Sequence, residues 1–137
     1  MKLSFAFAAG VLALSASGVL AAGKTQYPLT LDNCGQKITF DKAPEKAVSI
    51  GQNSSEILLS LGLAPKMVGT AAWLGPVLPN LKADNDKVPR ISNTQPSFEA
   101  VVKKDPDLVA AQFVFDVGPN GVVGKRPQFE ELGIATY

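Results

Sequence analysis

The run KAVSIGQNSSEILLSLGLAPKMVGTAAW, residues 46–73, predicts a strand, a polar turn, a helix and a second strand in succession. Val48 and Ile50 are β-branched and lie in a short run that Gly51 closes, a pattern typical of a strand that ends in a turn. The polar turn therefore follows directly from the carboxyl end of the first strand.

The helix of this run has its own start and stop signals. Asn53 is a favourable N-cap residue and Glu56, three residues on, completes a capping-box pattern, so we expect the helix to begin at Asn53. Gly62 stands at the predicted helix end, where a left-handed residue is favoured. The apolar stripe that should face the sheet consists of Ile57, Leu58, Leu61 and Leu63.

Two further copies of the helix and strand follow. Residues 96–113, PSFEAVVKKDPDLVAAQF, repeat them, and residues 127–137, PQFEELGIATY, repeat them again. Helices that alternate with short apolar strands indicate a parallel sheet, because parallel strands need a crossover connection and crossover helices cover the faces of the sheet. The predicted fold class is therefore α/β, with a Rossmann-like parallel sheet flanked by helices, and ligands of such sheets bind at the carboxyl ends of the strands.

The remaining segments complete one domain of ordinary size. Residues 27–32 and 37–40 alternate apolar and polar side chains across residues 33–35, as a β-hairpin would. Residues 75–90 contain three prolines and scattered charge, and residues 115–126 contain three glycines and a proline. Both segments are expected to be irregular surface connections.

The amino terminus predicts the compartment. Lys2 precedes an apolar run over residues 5–14, and small residues follow that offer a cleavage site. Residues 1–22 are therefore interpreted as a secretory signal peptide and residues 23–137 as the mature domain. An anchored lipoprotein would need a cysteine just after the apolar run, whereas Cys34, the only cysteine, lies well downstream. We therefore expect a soluble protein of the periplasm.

Charge and residue types exclude several functions. The chain has 13 basic and 12 acidic residues, and removal of the basic residue in the signal peptide balances them, which argues against nucleic acid as a partner. There is no histidine, so the usual general base and the commonest metal ligand are missing.

The Gly-Lys pair at residues 124–125 resembles a phosphate loop, but Pro119 and Arg126 stand where that loop needs glycine and serine or threonine. Cys34 is either paired outside this chain or a free thiol in a turn.

Four runs in this order resemble the amino-terminal lobe of the class III periplasmic substrate-binding proteins, the ferric-siderophore and cobalamin receptors of ABC importers: SIGQNSSEILLSLG, MVGTAAW, PSFEAVVKKDPDLV and FEELGIATY. The resemblance covers residues 43–137. It implies a protein of two lobes joined by one long helix, with the ligand held between the lobes and an inner-membrane permease as partner. This chain ends before the joining helix and the second lobe, so we expect a fragment or a truncated product.

The resemblance also implies a ligand site at the strand ends. The Trp73 ring either stacks on a planar ligand or packs under its loop, and both alternatives stay open. Phe113 and Phe115 alternate along one extended segment, so we expect one of them to face the core. Carried over residue by residue, the positions that face the cleft are Gln52, Asn53, Ser54, Trp73, Asn93, Gln112 and Phe113.

A further position in the family contacts the permease. Phe98 should face the sheet with Val101 or Val102, so Glu99 beside it should point toward solvent in the first turn of its helix. The matching glutamate in the family forms a salt bridge with arginines of the permease. The resemblance therefore implies that Glu99 is a docking residue and not a ligand contact.

The resemblance implies the class of ligand, and one departure from the family pattern limits that assignment. Receptors of hydroxamate siderophores have an arginine where this chain has Asn93, so amides and aromatic rings replace a guanidinium fork. A ferric siderophore is the first choice, with cobalamin or haem behind it, and no resident cofactor or metal is expected. Two other classes stay open: a small secreted Rossmann-like enzyme, although the glycine-rich fingerprint after the first strand is absent, and a degenerate interaction module without a small-molecule site.

Overall fold

A β-hairpin opens the described part of the chain. The computed structural model describes residues 23–137, so the predicted signal peptide lies outside the described residues. Two strands, β1 (Leu29–Asn33) and β2 (Gln36–Phe40), pair antiparallel around a turn in which Cys34 and Gly35 have φ angles of 55° and 78°. Both turn residues are left-handed, as the twist of a two-residue hairpin requires. The predicted hairpin is confirmed.

Four parallel strands form the central sheet. They are β3 (Ala47–Ile50), β4 (Met67–Ala71), β5 (Leu108–Ala111) and β6 (Ala135–Thr136), and their order across the sheet is β4-β3-β5-β6. Every residue of β3 is buried, because this strand lies between β4 and β5. The predicted α/β class, with a parallel sheet and an N-terminal hairpin, is confirmed.

Helices connect the strands, as parallel pairing requires. One helix joins β3 to β4, two lie between β4 and β5, and two lie between β5 and β6. None of the helices that residues 23–137 form is long and apolar enough to cross a membrane. The α-helices are α1 (Gln52–Ser60), α2 (Lys82–Asn85), α3 (Phe98–Val102), α4 (Val114–Val117) and α5 (Arg126–Glu130), and 3₁₀ turns cover Ala64–Lys66 and Pro79–Leu81.

The main core lies between the sheet and the helices α3 and α5. Phe129 of α5 is fully buried, and its ring centre lies 4.8 Å from that of Phe98 in α3 with the planes tilted by 58°. Such a tilted aromatic pair adds to the stabilisation that burial of apolar area supplies. The other buried members of this core are Val48, Ile50, Val101, Val109, Val117, Val123 and Ile134. The expectation that Phe98 and Val101 face the sheet is confirmed.

The start of α1 differs from the prediction. The helix begins at Gln52, and its N-cap is Gly51, which has no side chain to cap with. The prediction of Asn53 as N-cap is therefore wrong. Glu56 does not complete a capping box either, because its carboxylate accepts a 3.0 Å hydrogen bond from the backbone N–H of Leu78 in the next loop. The helix end is as predicted, with a left-handed glycine just beyond it.

The predicted buried face of α1 is correct for Leu58, which is half-buried and packed against apolar neighbours, but wrong for the rest of the helix. Ser55 and Leu59 are the buried residues of this helix, whereas Ile57 and Leu61 are 60% and 67% exposed. The hydroxyl groups of Ser55 and Ser49, the latter in β3, share a hydrogen bond of 2.7 Å. This polar contact sets the rotation of the helix on the sheet and turns the longer apolar side chains outward.

The segment at residues 75–90 packs more closely than predicted. Leu81 and Val88 are buried in it, and the segment contains α2 and a 3₁₀ turn. The prediction of a purely irregular surface connection is therefore wrong. Together with α1 and β4 the segment forms a second, smaller core whose buried members are Leu59, Ala64, Met67, Leu81 and Val88.

Part of one sheet face has no helix over it in the described part of the chain. A groove of about 340 Å³ lies between α1 and β5 and is lined by Ile57, Leu58, Ala110 and Tyr137, among others. A second groove of about 250 Å³ continues along the last three of these residues to Leu31 of the hairpin. Because parallel sheets are normally covered on both faces, this apolar surface should weaken the folding of the chain in isolation.

Gly51→Ala should destabilise the fold strongly. A Cβ at residue 51 would lie 2.4 Å from the Cβ of Gln112 and 2.6 Å from its Oε1, and φ there is 104°. We expect a loss of about 3 kcal/mol in the free energy of unfolding, because a steric clash adds to backbone strain. The measurement is the urea midpoint of unfolding.

Gly62→Ala is the matched control for this variant. Its φ is 72°, but an added Cβ would have no atom within 4 Å, so only backbone strain of about 1 kcal/mol remains. Equal losses in the two variants would show that the contact with Gln112 is not what requires glycine at residue 51.

Candidate functional site

The carboxyl ends of β3, β4 and β5 meet at one edge of the sheet. The backbone N–H of Gly51 donates to the Ala71 carbonyl at 2.9 Å, and that of Gln112 donates to the Ile50 carbonyl at 2.8 Å. These bonds continue the sheet past the strands and hold the following turns side by side. We call residues 51–54, 72–75 and 112–113 the strand-end edge, where parallel sheets bind their ligands.

Gln112 ties two turns of the strand-end edge together. Its Oε1 accepts a hydrogen bond of 3.1 Å from the backbone N–H of Asn53. A carboxamide from the end of β5 thus takes the place of the missing N-cap side chain of α1. The N–H of Asn53 is therefore bonded within the protein and is not free for a ligand.

Gln52 anchors the loop that follows β4. Its Oε1 accepts hydrogen bonds from the backbone N–H groups of Leu74 at 3.2 Å and Gly75 at 3.0 Å. Its Nε2 donates to the Pro76 carbonyl at 3.0 Å and to a carboxylate oxygen of Glu56 at 3.1 Å. The donors and the acceptor of this carboxamide are all engaged, so Gln52 shapes the strand-end edge by fixing its loop.

Trp73 is packed inside the protein. Its side chain is only 7% exposed, and the indole N–H donates to the Thr70 hydroxyl at 3.2 Å. The guanidinium carbon of Arg90 lies 4.2 Å from the centre of the ring, a cation–π contact, and Arg90 also donates to the Asn93 carboxamide at 3.3 Å. Of the two alternatives for this indole, the structure has the packed one, with Arg90 and Asn93 as the exposed groups above it.

Phe113 and Phe115 are both exposed, and their rings stack at 5.2 Å with planes 15° apart. The expectation that one of them faces the core is therefore wrong. The segment is not extended as predicted but turns into α4, which places Asp116 and Val117 on the buried side. The two rings instead form an apolar, flat surface beside the strand-end edge.

The predicted ligand residues divide into three groups. Asn53, Ser54 and Gln112 line the groove between α1 and β5, and Gln112 and Phe113 also line a cavity of about 200 Å³ on the other side of the strand end. Trp73 and Asn93 lie together under and beside Arg90, and Gln52 lies between these groups. The structure thus brings Asn53, Ser54, Gln112 and Phe113 together. Trp73 and Asn93 lie apart from them.

Asp116 is a buried carboxylate that sequence reasoning missed. It is 1% exposed, and neither oxygen has a hydrogen-bond partner among the described residues. Burial raises the pKa of this carboxyl, and the Gln95 side chain and the Phe113 backbone oppose that shift without forming hydrogen bonds of good geometry. The signal in the sequence was a single carboxylate inside the apolar run Val-Phe-Asp-Val.

Glu99 lies where the sequence predicted it. Its helix, α3, has Ser97 as N-cap, whose hydroxyl accepts a hydrogen bond of 3.2 Å from the backbone N–H of Ala100. Glu99 is exposed in the first turn of α3, and its carboxylate forms no ion pair with any residue of the described part of the chain. The helix start and the solvent-facing position of Glu99 are confirmed, while its role stays a prediction.

The side chains of the strand-end edge include amides and aromatic rings but no charged group. Among residues 23–137 no three His, Cys, Asp or Glu side chains come close enough to hold a metal ion. Carboxamides and stacked rings recognise the organic surface of a ligand through hydrogen bonds and apolar contact.

Known proteins are similar to this chain in sequence. The profile of one family, described as periplasmic binding protein, matches residues 48–137. An uncharacterized ABC transporter substrate-binding lipoprotein of Bacillus subtilis (strain 168), YvrC, is 33% identical over 93 residues, which cover 66% of this chain and 28% of the lipoprotein.

Solved structures share the fold. A periplasmic binding protein from Veillonella parvula DSM 2008 has a TM-score of 0.68 at 28% identity, covering 80% of this chain and 36% of that one. An ABC-type Fe3+-hydroxamate transport system structure from Saccharomonospora viridis DSM 43017 has a TM-score of 0.66 at 24% identity, covering 81% and 39%. The chain spans 28% to 39% of the length of these three relatives.

Asp116→Asn should stabilise the protein at neutral pH. The pKa of this carboxyl is higher in the folded state than in the unfolded state. The stability that its protonated form contributes is therefore fully present below the unfolded pKa and is lost as pH rises through the folded pKa. The amide does not ionise, so the advantage of the variant in thermal midpoint should grow from acid to neutral pH.

Asp105→Asn is the control with the opposite sign. Asp105 is exposed, and its hydrogen bond and ion pair with Lys46 lower the pKa of its carboxyl. The stability that the Asp105 carboxylate contributes is present above the unfolded pKa and is lost as pH falls through the folded pKa. Any loss of thermal midpoint in this variant should therefore become smaller toward acid pH. The same pH trend in both variants would contradict the assignment for Asp116.

Proposed function

The chain belongs to the periplasmic binding protein family, and on that premise we propose that it is the amino-terminal lobe of a receptor that captures a ferric siderophore for an ABC importer. The observation that carries the proposal is the family match over residues 48–137, which spans the parallel sheet except its first residue, Ala47, and includes the strand-end edge. One relative is an ABC transporter substrate-binding lipoprotein, and one related structure carries the name of an Fe3+-hydroxamate transport system.

The chemistry of the strand-end edge supports an organic chelate as the ligand. Asn53 and Ser54 present polar groups along the groove beside α1, and the stacked rings of Phe113 and Phe115 present a flat apolar surface near it. A ferric siderophore has both amide-like oxygens and an organic backbone, and it brings its own iron ligands. Cobalamin and haem, which hold their metal in a large, nearly flat macrocycle, are the second choice.

Some of the proposed ligand residues contact the ligand, and others position the residues that do. Asn53, Ser54 and Phe113 contact the ligand directly, because their side chains reach the surface. Gln52 and Gln112 position the turns through the hydrogen bonds that already occupy their carboxamides. Trp73 and Asn93 act from beneath and beside Arg90, so a ligand reaches the indole only if that arginine moves.

The family also suggests the cellular compartment. We propose that the receptor acts outside the cytoplasm, in the periplasm, and hands its ligand to a permease in the inner membrane. The protein holds no resident cofactor in this proposal and performs no reaction on its ligand. The iron is cargo.

Binding of a ferric siderophore to the complete receptor tests the proposal. A ferric hydroxamate should quench tryptophan emission, the iron-free siderophore should quench it less, and Trp73→Phe should remove the part of the signal that comes from this lobe. Unchanged affinity in Trp73→Phe would remove the indole from the ligand site but leave the function standing. Failure of the complete receptor to bind any ferric siderophore, cobalamin or haem would overturn the function.

Glu99 is proposed as the residue that docks the lobe to the permease. It is exposed and lies in the first turn of a helix whose other side is fixed in the core by Phe98 and Val101. An unpaired surface carboxylate held on a rigid element is suited to meet a basic group on a partner, because charge-assisted contacts fix orientation.

Glu99→Ala should lower import without lowering ligand affinity. Import of radioactive ferric siderophore by cells should fall by about fivefold or more, as loss of one charge-assisted interface contact implies. Affinity in solution should stay the same. Glu131→Ala, which removes an exposed carboxylate beyond α5, is the control and should leave both unchanged. A fall in affinity would move Glu99 into the ligand cleft instead.

A further inference from the structure

A cavity of about 300 Å³ lies between the turn of the β-hairpin and the segment that joins α4 to α5. It is separate from the groove beside α1. Its walls are formed on one side by the hairpin and on the other by residues 114–127. The lining residues that matter here are Cys34, Gln36, Val114, Pro119, Lys125 and Arg126.

Arg126 is the unusual member of this cavity. It is only 7% exposed, yet its one hydrogen bond in the described part of the chain is from Nη1 to the Asn33 carbonyl at 3.4 Å. No carboxylate of residues 23–137 lies within 4.0 Å of its guanidinium, and residues 1–22 contain no Asp or Glu. A buried cation that lacks a counter-charge is costly, so such groups are normally paired.

The other lining residues extend the positive character of the cavity. Lys125 adds a second positive charge, Gln36 adds a carboxamide, and none of the lining residues is acidic. Val114, Pro119 and Pro127 give apolar walls that fit the body of a small organic molecule. The volume is at the lower end of the range for small-molecule sites, about 300 to 1,000 Å³.

We propose that this cavity binds a small oxyanion, a carboxylate or a phosphate group, with Arg126 as its principal partner. The guanidinium is planar and presents a fork of N–H donors that matches the oxygens of such a group. Lys125 at the mouth adds a point charge that attracts the anion. The site is additional to the proposed chelate site, which it adjoins through the shared lining residues Cys34, Val114 and Arg126.

The position of the cavity gives the anion a structural effect as well. The Asn33 side chain donates to the Thr136 carbonyl of β6 at 3.2 Å, and Arg126 of α5 donates to the Asn33 carbonyl, so Asn33 joins the hairpin to the sheet and Arg126 joins it to α5. Arg126 also lines the neighbouring cavity of about 200 Å³ that contains Gln112 and Phe113. An anion bound to Arg126 would therefore stabilise the junction of the hairpin with α5 and, through Asn33, with β6.

Cys34 makes the site testable, because it is the only cysteine of the chain, is exposed and lines the cavity. The full 137-residue chain is alkylated with the uncharged reagent iodoacetamide at constant ionic strength, in sodium chloride, sodium phosphate or sodium citrate. Phosphate, citrate or both should slow alkylation severalfold relative to chloride, with saturation as the anion concentration rises. Protection by phosphate alone identifies a phosphate site, and protection by citrate alone identifies a carboxylate site. Equal rates in all three salts overturn the proposal.

Arg126→Gln tests the assigned residue. It should raise the anion concentration that gives half-protection by about tenfold or more, because the charge-assisted fork is lost. Lys103→Gln removes an exposed lysine elsewhere and should leave protection unchanged. Full protection in a folded Arg126→Gln variant overturns the proposal.

Lys125→Gln keeps the test decisive if Arg126→Gln fails to fold. Lys125 is exposed, so its removal should not unfold the chain, but it should weaken protection by lowering the local positive charge. Protection that is the same in Lys125→Gln, Lys103→Gln and the unchanged protein would mean that charge at the cavity does not hold the anion, and the proposal would be wrong.

Discussion

The close approach of Gly51 and Gln112 is the constraint on which the strand-end edge depends. Because residue 51 has no Cβ, the end of β5 can lie against the turn after β3 and place its carboxamide over the first amides of α1. The same turn continues into Gln52, whose carboxamide bonds the loop after β4. Two glutamines thus hold three turns together, and the strand-end edge is a preformed surface.

Two ionisable groups are buried in the segment between β5 and β6, and they do not pair with each other. Asp116 has no hydrogen-bond partner for its carboxylate among the described residues, and Arg126 has only a long bond to the Asn33 carbonyl. The backbone around them is hydrogen-bonded, for example from Val123 N–H to the Asp116 carbonyl at 3.0 Å. Buried ionisable groups near the edge of a sheet are typical of binding and catalytic sites.

The parallel sheet was predictable because its strands and the ends of its helices carry local signals. Val48 and Ile50 mark β3, Gly62 marks the end of α1, and Ser97 marks the start of α3, and all three signals are properties of neighbouring residues. The predictions that failed concern orientation. The apolar residues Ile57 and Leu61 satisfy a helical period, but the Ser55 contact with β3 decides which face is buried.

The sequence by itself therefore determined the α/β class, the order of the elements, the hairpin and the solvent-facing position of Glu99, because periodicity and capping act over a few residues. Only the tertiary structure decided that Gln112 caps α1, that Arg90 covers Trp73, and that the two phenylalanines stack in the open. Each of these contacts joins elements that are distant in the chain or depends on how a turn is folded. No local pattern contains that information, since it exists only once the strands lie side by side.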